Sequence, residues 1–179
     1  VYEQSSAIGA ASSTGELTLP GFRHDLGAAV HPLGSASPLF RSLPLDQHGL
    51  EWLRPEIPLA HPLDGGQVAT LHHSITLTAE HLEDDGPLYR RIVGGLARRW
   101  DTIESAVFGP VVRVPDHPVA LAGLGLRGLL PASTVARRLR TEEGRALLAG
   151  LAAHTPMPLN KSGNAAVALV LAALAHVTG

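Results

Sequence analysis

The chain reads as α/β, turning α+β in its second part. Three observations predict this. A short apolar run at the start meets an acid, Val1-Tyr2-Glu3, as a buried strand does where it ends. The first third then alternates in short pieces, punctuated by Pro20-Gly21 and Asp64-Gly65-Gly66. The remainder carries apolar residues at spacings of three and four, the helical period.

Taken in order, residues 3–15 are small and polar and predict a loop or a short helical turn. Glu16-Leu-Thr-Leu19 alternates into Pro20-Gly21, a strand entering a turn. Ser37 caps a short helix to Leu43, with Pro38 at its first position. Leu50-Glu-Trp-Leu53 alternates and predicts another strand. Residues 58–63 and 67–71 flank Asp64-Gly65-Gly66 and predict a hairpin. Residues 74–83 predict one short helix, and Asp84 or Asp85 caps the next. That helix carries Leu88, Ile92, Leu96, Trp100 and Ile103 as one apolar stripe. Pro110, Pro115 and Pro118 punctuate the chain before residues 119–130. Pro131 and Ser133 open a helical piece over 134–139. Thr141-Glu-Glu opens another, a cap with two carboxylates where the helix dipole favours them, running to about His154. The last helix, 165–177, is apolar all round and shorter than the ~20 residues of a membrane span.

Composition narrows the function classes. The 179 residues are 45% hydrophobic, enough for one good core, but only 4% aromatic, so that core is built from Leu, Val and Ala. A net charge of -2 points to neither nucleic acid nor a polybasic membrane anchor. The absence of Cys excludes disulfides and thiolate metal sites. Val1 is not followed by a basic region and an apolar core, so the start is not a signal peptide. The expected location is cytoplasmic, or peripheral at a membrane. Usage rich in Ala, Arg, Gly, Leu and Pro, with Lys161 the only lysine, hints at a GC-rich bacterial coding sequence.

Gly123-Leu-Gly125-Leu-Arg-Gly128 matches a phosphate-loop string, G-x-G-x-x-G. Its context argues otherwise. Pro131 follows where the phosphate-binding helix needs to lengthen, and no second strand precedes Glu142-Glu143. The expectation is a glycine-spaced helix packed closely on a neighbour or on a lipid-like ligand. His72 and His73 are adjacent, so on a strand they face opposite ways and cannot share a metal; no metal site is expected. No G-x-S-x-G elbow supports a serine hydrolase. Arg137, Arg138 and Arg140 read as a solvated helix face.

The block Gly15-Glu-Leu-Thr-Leu-Pro-Gly-Phe-Arg-His-Asp-Leu-Gly-Ala-Ala-Val-His-Pro-Leu33 resembles the phytoene-dehydrogenase-like FAD/NAD(P)-dependent oxidoreductases, grouped with carotenoid desaturases and amine-oxidase-fold flavoproteins. The resemblance extends over the whole chain. It implies a partial FAD-binding domain over 1–44 and a substrate or cap domain over 45–179. It implies that Glu3 binds the adenosine ribose, that Gly9, Ala10 and Ser13 lie along the pyrophosphate and ribityl chain, and that Asp25 and Gly27 form a turn near the flavin, followed by His31. Where the family has Gly-Gly and then a basic residue, this chain has Gly9-Ala10-Ala11-Ser12-Ser13, which adds a methyl and removes a cation. The resemblance also implies that the first strand, the glycine-rich loop and the first helix belong before Val1, and that flavin-contacting elements belong after Gly179. Those missing segments are then the expected partners, and open strand edges without them invite association. The implied activity is hydride transfer from an apolar substrate to FAD. The alternative is a non-catalytic, truncated or split-gene product that binds an apolar ligand or a partner chain.

Overall fold

The computed structural model describes residues 4, 8, 9, 12–110 and 118–178; for 118–121 and 123 it describes the backbone only. Val1-Tyr2-Glu3, Ala10 and Pro115 lie outside the described residues. The fold of the described part is α+β. Its strands pair as two antiparallel hairpins, and helices and loops make up the rest. The chain divides into two compact units, residues 1–31 and 32–179. The expected boundary at residue 44 falls inside the second unit.

The first unit is a hairpin of β1 (Thr14–Glu16) and β2 (Arg23–Asp25), in the register Thr14 opposite Asp25 and Glu16 opposite Arg23. The strand expected over Glu16–Leu19 therefore sits earlier. Residues 17–19 instead lead into a tight turn in which the Phe22 amide donates to the Leu19 carbonyl at 3.0 Å. Pro20 and Gly21, the latter with φ 86°, occupy its centre, as a type II turn requires. None of the described residues in this unit is buried, and Leu17, Leu19, Phe22 and Leu26 stand in solvent.

The second unit opens with α1 (Pro32–Ala36) and α2 (Pro38–Ser42). Ser37 caps α2 as expected, its side chain accepting from the Phe40 amide. Leu50–Leu53 is not a strand. It is exposed, and Pro55 and Pro58 just beyond it remove ladder donors. The expected hairpin follows, β3 (Leu59–Pro62) against β4 (Val68–Leu71), turning through Asp64–Gly66. Next come α3 (Ile75–His81), capped by Ser74, α4 (Gly86–Ala97) and α5 (Trp100–Phe108).

The expected single stripe from Leu88 to Ile103 is thus broken in two. Gly94 lets α4 lie against α3, since a Cβ there would come within 3.2 Å of the Ile75 side chain. The Gly94-Gly95 pair also weakens the helix. The chain turns at Arg98-Arg99, where the Arg99 amide bonds back to the Leu96 carbonyl at 3.0 Å. Ile92 and Val93 join one apolar cluster, Trp100 and Ile103 a second, and Leu96 packs against both.

The remaining helices are α6 (Pro118–Gly128), α7 (Ala132–Ala136), α8 (Glu142–Ala152) and α9 (Asn164–Val177). The glycine string lies within α6, and Gly128 packs on α9: an added Cβ would meet that of Ala166 at 2.8 Å. The piece expected over 134–139 starts earlier, as α7, because Pro131 supplies the extended residue before it. Thr141 caps α8, accepting from the Gly144 amide at 3.0 Å.

At the centre lies α9. Ala165, Ala168, Ala172 and Ala173 are buried, and their small side chains let α4, α6 and α8 approach it. A helix apolar on every side belongs inside. Its one buried polar residue at the start, Asn164, is satisfied: Oδ1 accepts from the Ala132 amide at 2.7 Å, and Nδ2 donates to the Pro158 carbonyl at 3.0 Å. Among the described residues, no helix is long and apolar enough to cross a membrane.

Candidate functional site

The residues expected along FAD fall in the first unit, and most stand open to solvent. Gly9 is exposed with φ 132°, a backbone few L side chains adopt, and its carbonyl accepts from the Ser12 amide at 2.7 Å. Ser13 is half-buried, and its carbonyl accepts from the Leu26 amide at 2.8 Å. The Asp25 carboxylate accepts from the Thr14 hydroxyl at 2.7 Å, which ties the end of β2 to the start of β1. Gly27 and His31 are exposed. The hairpin therefore brings Ser13, Asp25 and Gly27 to one end. Glu3 and Ala10 lie outside the described residues.

A different place in the molecule has the shape of a binding site. Within the second unit, α4, α7, α8 and α9 enclose an apolar cavity of about 70 Å³, walled by Leu88, Ile92, Val135, Leu147 and Leu169. Two polar side chains line it, Asp85 and Tyr89.

Asp85 was expected to cap its own helix. It makes no side-chain cap there and instead holds the beginning of α8. Its carboxylate accepts from the Arg140 amide at 3.0 Å, the Thr141 amide at 2.8 Å and the Thr141 hydroxyl at 2.7 Å. Gly144 must be small here, since a Cβ would lie 2.7 Å from the Asp85 Oδ2. Burial alone would raise the carboxyl's pKa. The backbone amides of Arg140 and Thr141, the Thr141 hydroxyl and the nearby charge of Arg145 outweigh it and hold the group below its ordinary value. At neutral pH Asp85 is an ionised, fully engaged acceptor.

Tyr89 links the cavity to two histidines. Its hydroxyl lies 2.7 Å from His176 Nε2, and His176 Nδ1 lies 2.9 Å from the His73 carbonyl. A carbonyl only accepts, so Nδ1 carries the proton, Nε2 accepts, and Tyr89 donates. Burial raises the tyrosine's pKa and is the main cause lowering that of His176. Both groups are thus held neutral. A further histidine, His61 on β3, rests on α8 at Gly150, where any Cβ would collide with its ring. Its Nε2 is buried and without a partner, and burial, followed by the neighbouring His154, lowers its pKa. His72 and His73 lie just past β4 rather than on it; His72 is buried, its ring tilted against that of His81 at 4.5 Å, and His73 is exposed.

Sequence reasoning passed over Tyr89 and His176. A signal was present in Tyr89, a tyrosine next to the apolar stripe in a chain with only 4% aromatics. No protein-family description, no characterised protein and no solved structure matches this chain.

Proposed function

We propose that this chain is part of an FAD-dependent oxidoreductase of the phytoene-dehydrogenase-like kind, oxidising an apolar substrate by hydride transfer, and that its helical unit supplies the apolar-substrate side. The observation that carries this reading is the block from Glu16 to Leu33, where the resemblance is most specific. The flavin, when bound, supplies the hydride acceptor.

Gly9 and Gly27 would offer open backbone to the cofactor, Asp25 a carboxylate oriented by Thr14, and His31 an exposed imidazole. These groups fit the neutral stretches of such a cofactor. They fit the pyrophosphate less well, since residue 13 is serine and Arg23 is the only Lys or Arg among residues 1–31. On the substrate side, the cavity under α4 excludes water from an apolar group. At about 70 Å³ it holds a branched chain end and not a ring system; roughly 150 Å³ is needed to take up benzene.

A second reading, that the chain binds an apolar ligand without transforming it, is favoured by one observation. Asp85 is already committed to hydrogen bonds, and Tyr89 is held as a neutral donor to His176, so neither stands ready to move a proton. One experiment separates the two. The protein expressed from its whole coding region is expected to be yellow, and its flavin absorbance to bleach when an acyclic polyene is added without oxygen. Flavin-free protein that still binds the polyene supports the second reading and overturns the first.

A further inference from the structure

The apolar cavity has a charged neighbour. Between the first turns of α4 and the link joining α7 to α8 runs an open groove of about 570 Å³, lined in part by Arg91, Arg138, Arg140 and Asp84. It shares Asp85 and Leu88 with the apolar cavity, so the two spaces adjoin with Leu88 between them.

The charge of the groove is net positive. Arg91, Arg138 and Arg140 are all exposed, and the ion pairs among the described residues, Arg41–Glu104 and Arg90–Glu80, involve none of them. Two acids face them. Asp85 is turned toward the Arg140 and Thr141 amides and the Thr141 hydroxyl, which leaves it little capacity to pair with a guanidinium. Asp84 is exposed. Guanidinium groups converging on one space bind oxyanions by short, charge-assisted hydrogen bonds. An apolar cavity adjoining that space suits a hydrocarbon chain end.

We propose that the groove and the cavity form one site for an anionic amphiphile, its phosphate or carboxylate headgroup held by Arg91, Arg138 and Arg140 and its chain end lodged beyond Leu88. The proposal rests on the cavity being a ligand site and adds the headgroup. It gives the basic cluster of the α7–α8 link a task that a solvated helix face does not have.

The test compares three probes on the full chain by titration calorimetry: octyl phosphate, octanol and inorganic phosphate. Octyl phosphate is expected to bind at least roughly tenfold more tightly than either of the others. The double variant Arg91→Ala/Arg138→Ala is expected to reduce octyl phosphate to the affinity of octanol, while Arg90→Ala leaves it unchanged. Thermal melts check folding, and Arg138→Gln serves if the double variant melts early. Equal binding of octyl phosphate and octanol overturns the headgroup site but keeps the apolar one. Binding of neither overturns the apolar site as well. Inorganic phosphate binding as tightly as octyl phosphate makes the groove a free-anion site and overturns the amphiphile.

Discussion

The hairpin unit and the helical unit are built on opposite principles. In the first, no described residue is buried, and order comes from a Pro-Gly turn, a short ladder and the Thr14–Asp25 bond. In the second, two apolar clusters meet on α9, and α4, α6 and α8 pack against it. A two-stranded hairpin is marginal by itself in water. The difference teaches that the segment with the most specific resemblance has the least core. Its sequence is therefore better explained by what it presents than by what it buries.

Core truncations should separate the two most sharply. Leu174 is fully buried and belongs to the cluster of Trp100 and Ile103. Leu174→Ala is expected to cost about 3 kcal/mol through lost burial and the cavity left behind. Phe22→Ala, on a side chain 60% exposed, is expected to cost less than about 0.5 kcal/mol. Equal shifts of the urea midpoint would mean that Phe22 is covered and the contrast is false.

The next largest effect tests how the helical unit is pinned. Asp85→Ala strands the Arg140 and Thr141 amides and the Thr141 hydroxyl. A loss of about 2 kcal/mol is expected, since orphaned buried donors cost more than a made bond returns. Asp84→Ala, one residue away and exposed, is expected to be near neutral. If the two variants melt alike, Asp85 does not anchor α8.

How much of this was legible in sequence follows the range of the forces involved. Ser37 and Thr141 were read as caps because a cap is a local hydrogen bond between residues three apart. The Asp64-Gly65-Gly66 and Pro20-Gly21 turns were legible for the same reason. The break at Arg98 was not, because it depends on α3 lying against Gly94. Asp85 was recognised as a helix-start residue, but its partners are far along the chain at Arg140 and Thr141. Of the candidate site, the turn at residues 25 and 27 was implied by the resemblance, and Asp25 closes β2 just before it. The cavity, with Tyr89 and His176, comes from helices meeting across long sequence distances, and no period encodes that.

A smaller effect is expected from pH, and it belongs to the helical unit. His61 and His176 have pKa values lowered from 6.5, mainly by burial, so the folded chain keeps them neutral. The unfolded chain takes up protons there first. Stability is therefore full above about pH 6.5 and falls as pH drops below it. Asp85, also lowered, extends the loss below its ordinary value of 3.8. Urea midpoints from about pH 8 down to about pH 4 should decline, and His61→Gln should flatten the upper part of that decline. A midpoint that rises as pH falls from 7 to 5 contradicts the burial of both rings.

The smallest effect is also the most decisive for the comparison. Removing residues 1–31 is expected to leave the melting of residues 32–179 nearly unchanged. The buried apolar residues of the described chain begin at Ala36, so the two apolar clusters of the described residues lie within residues 32–179. The remaining chain keeps the Asp85 anchor, the Asn164 bonds and the α9 packing. The measurement is the midpoint and cooperativity of thermal unfolding by circular dichroism. A shift below about 0.5 kcal/mol agrees with the helical unit holding itself together. A large early melt would show that the helical unit does not hold itself together and would break the contrast between the two.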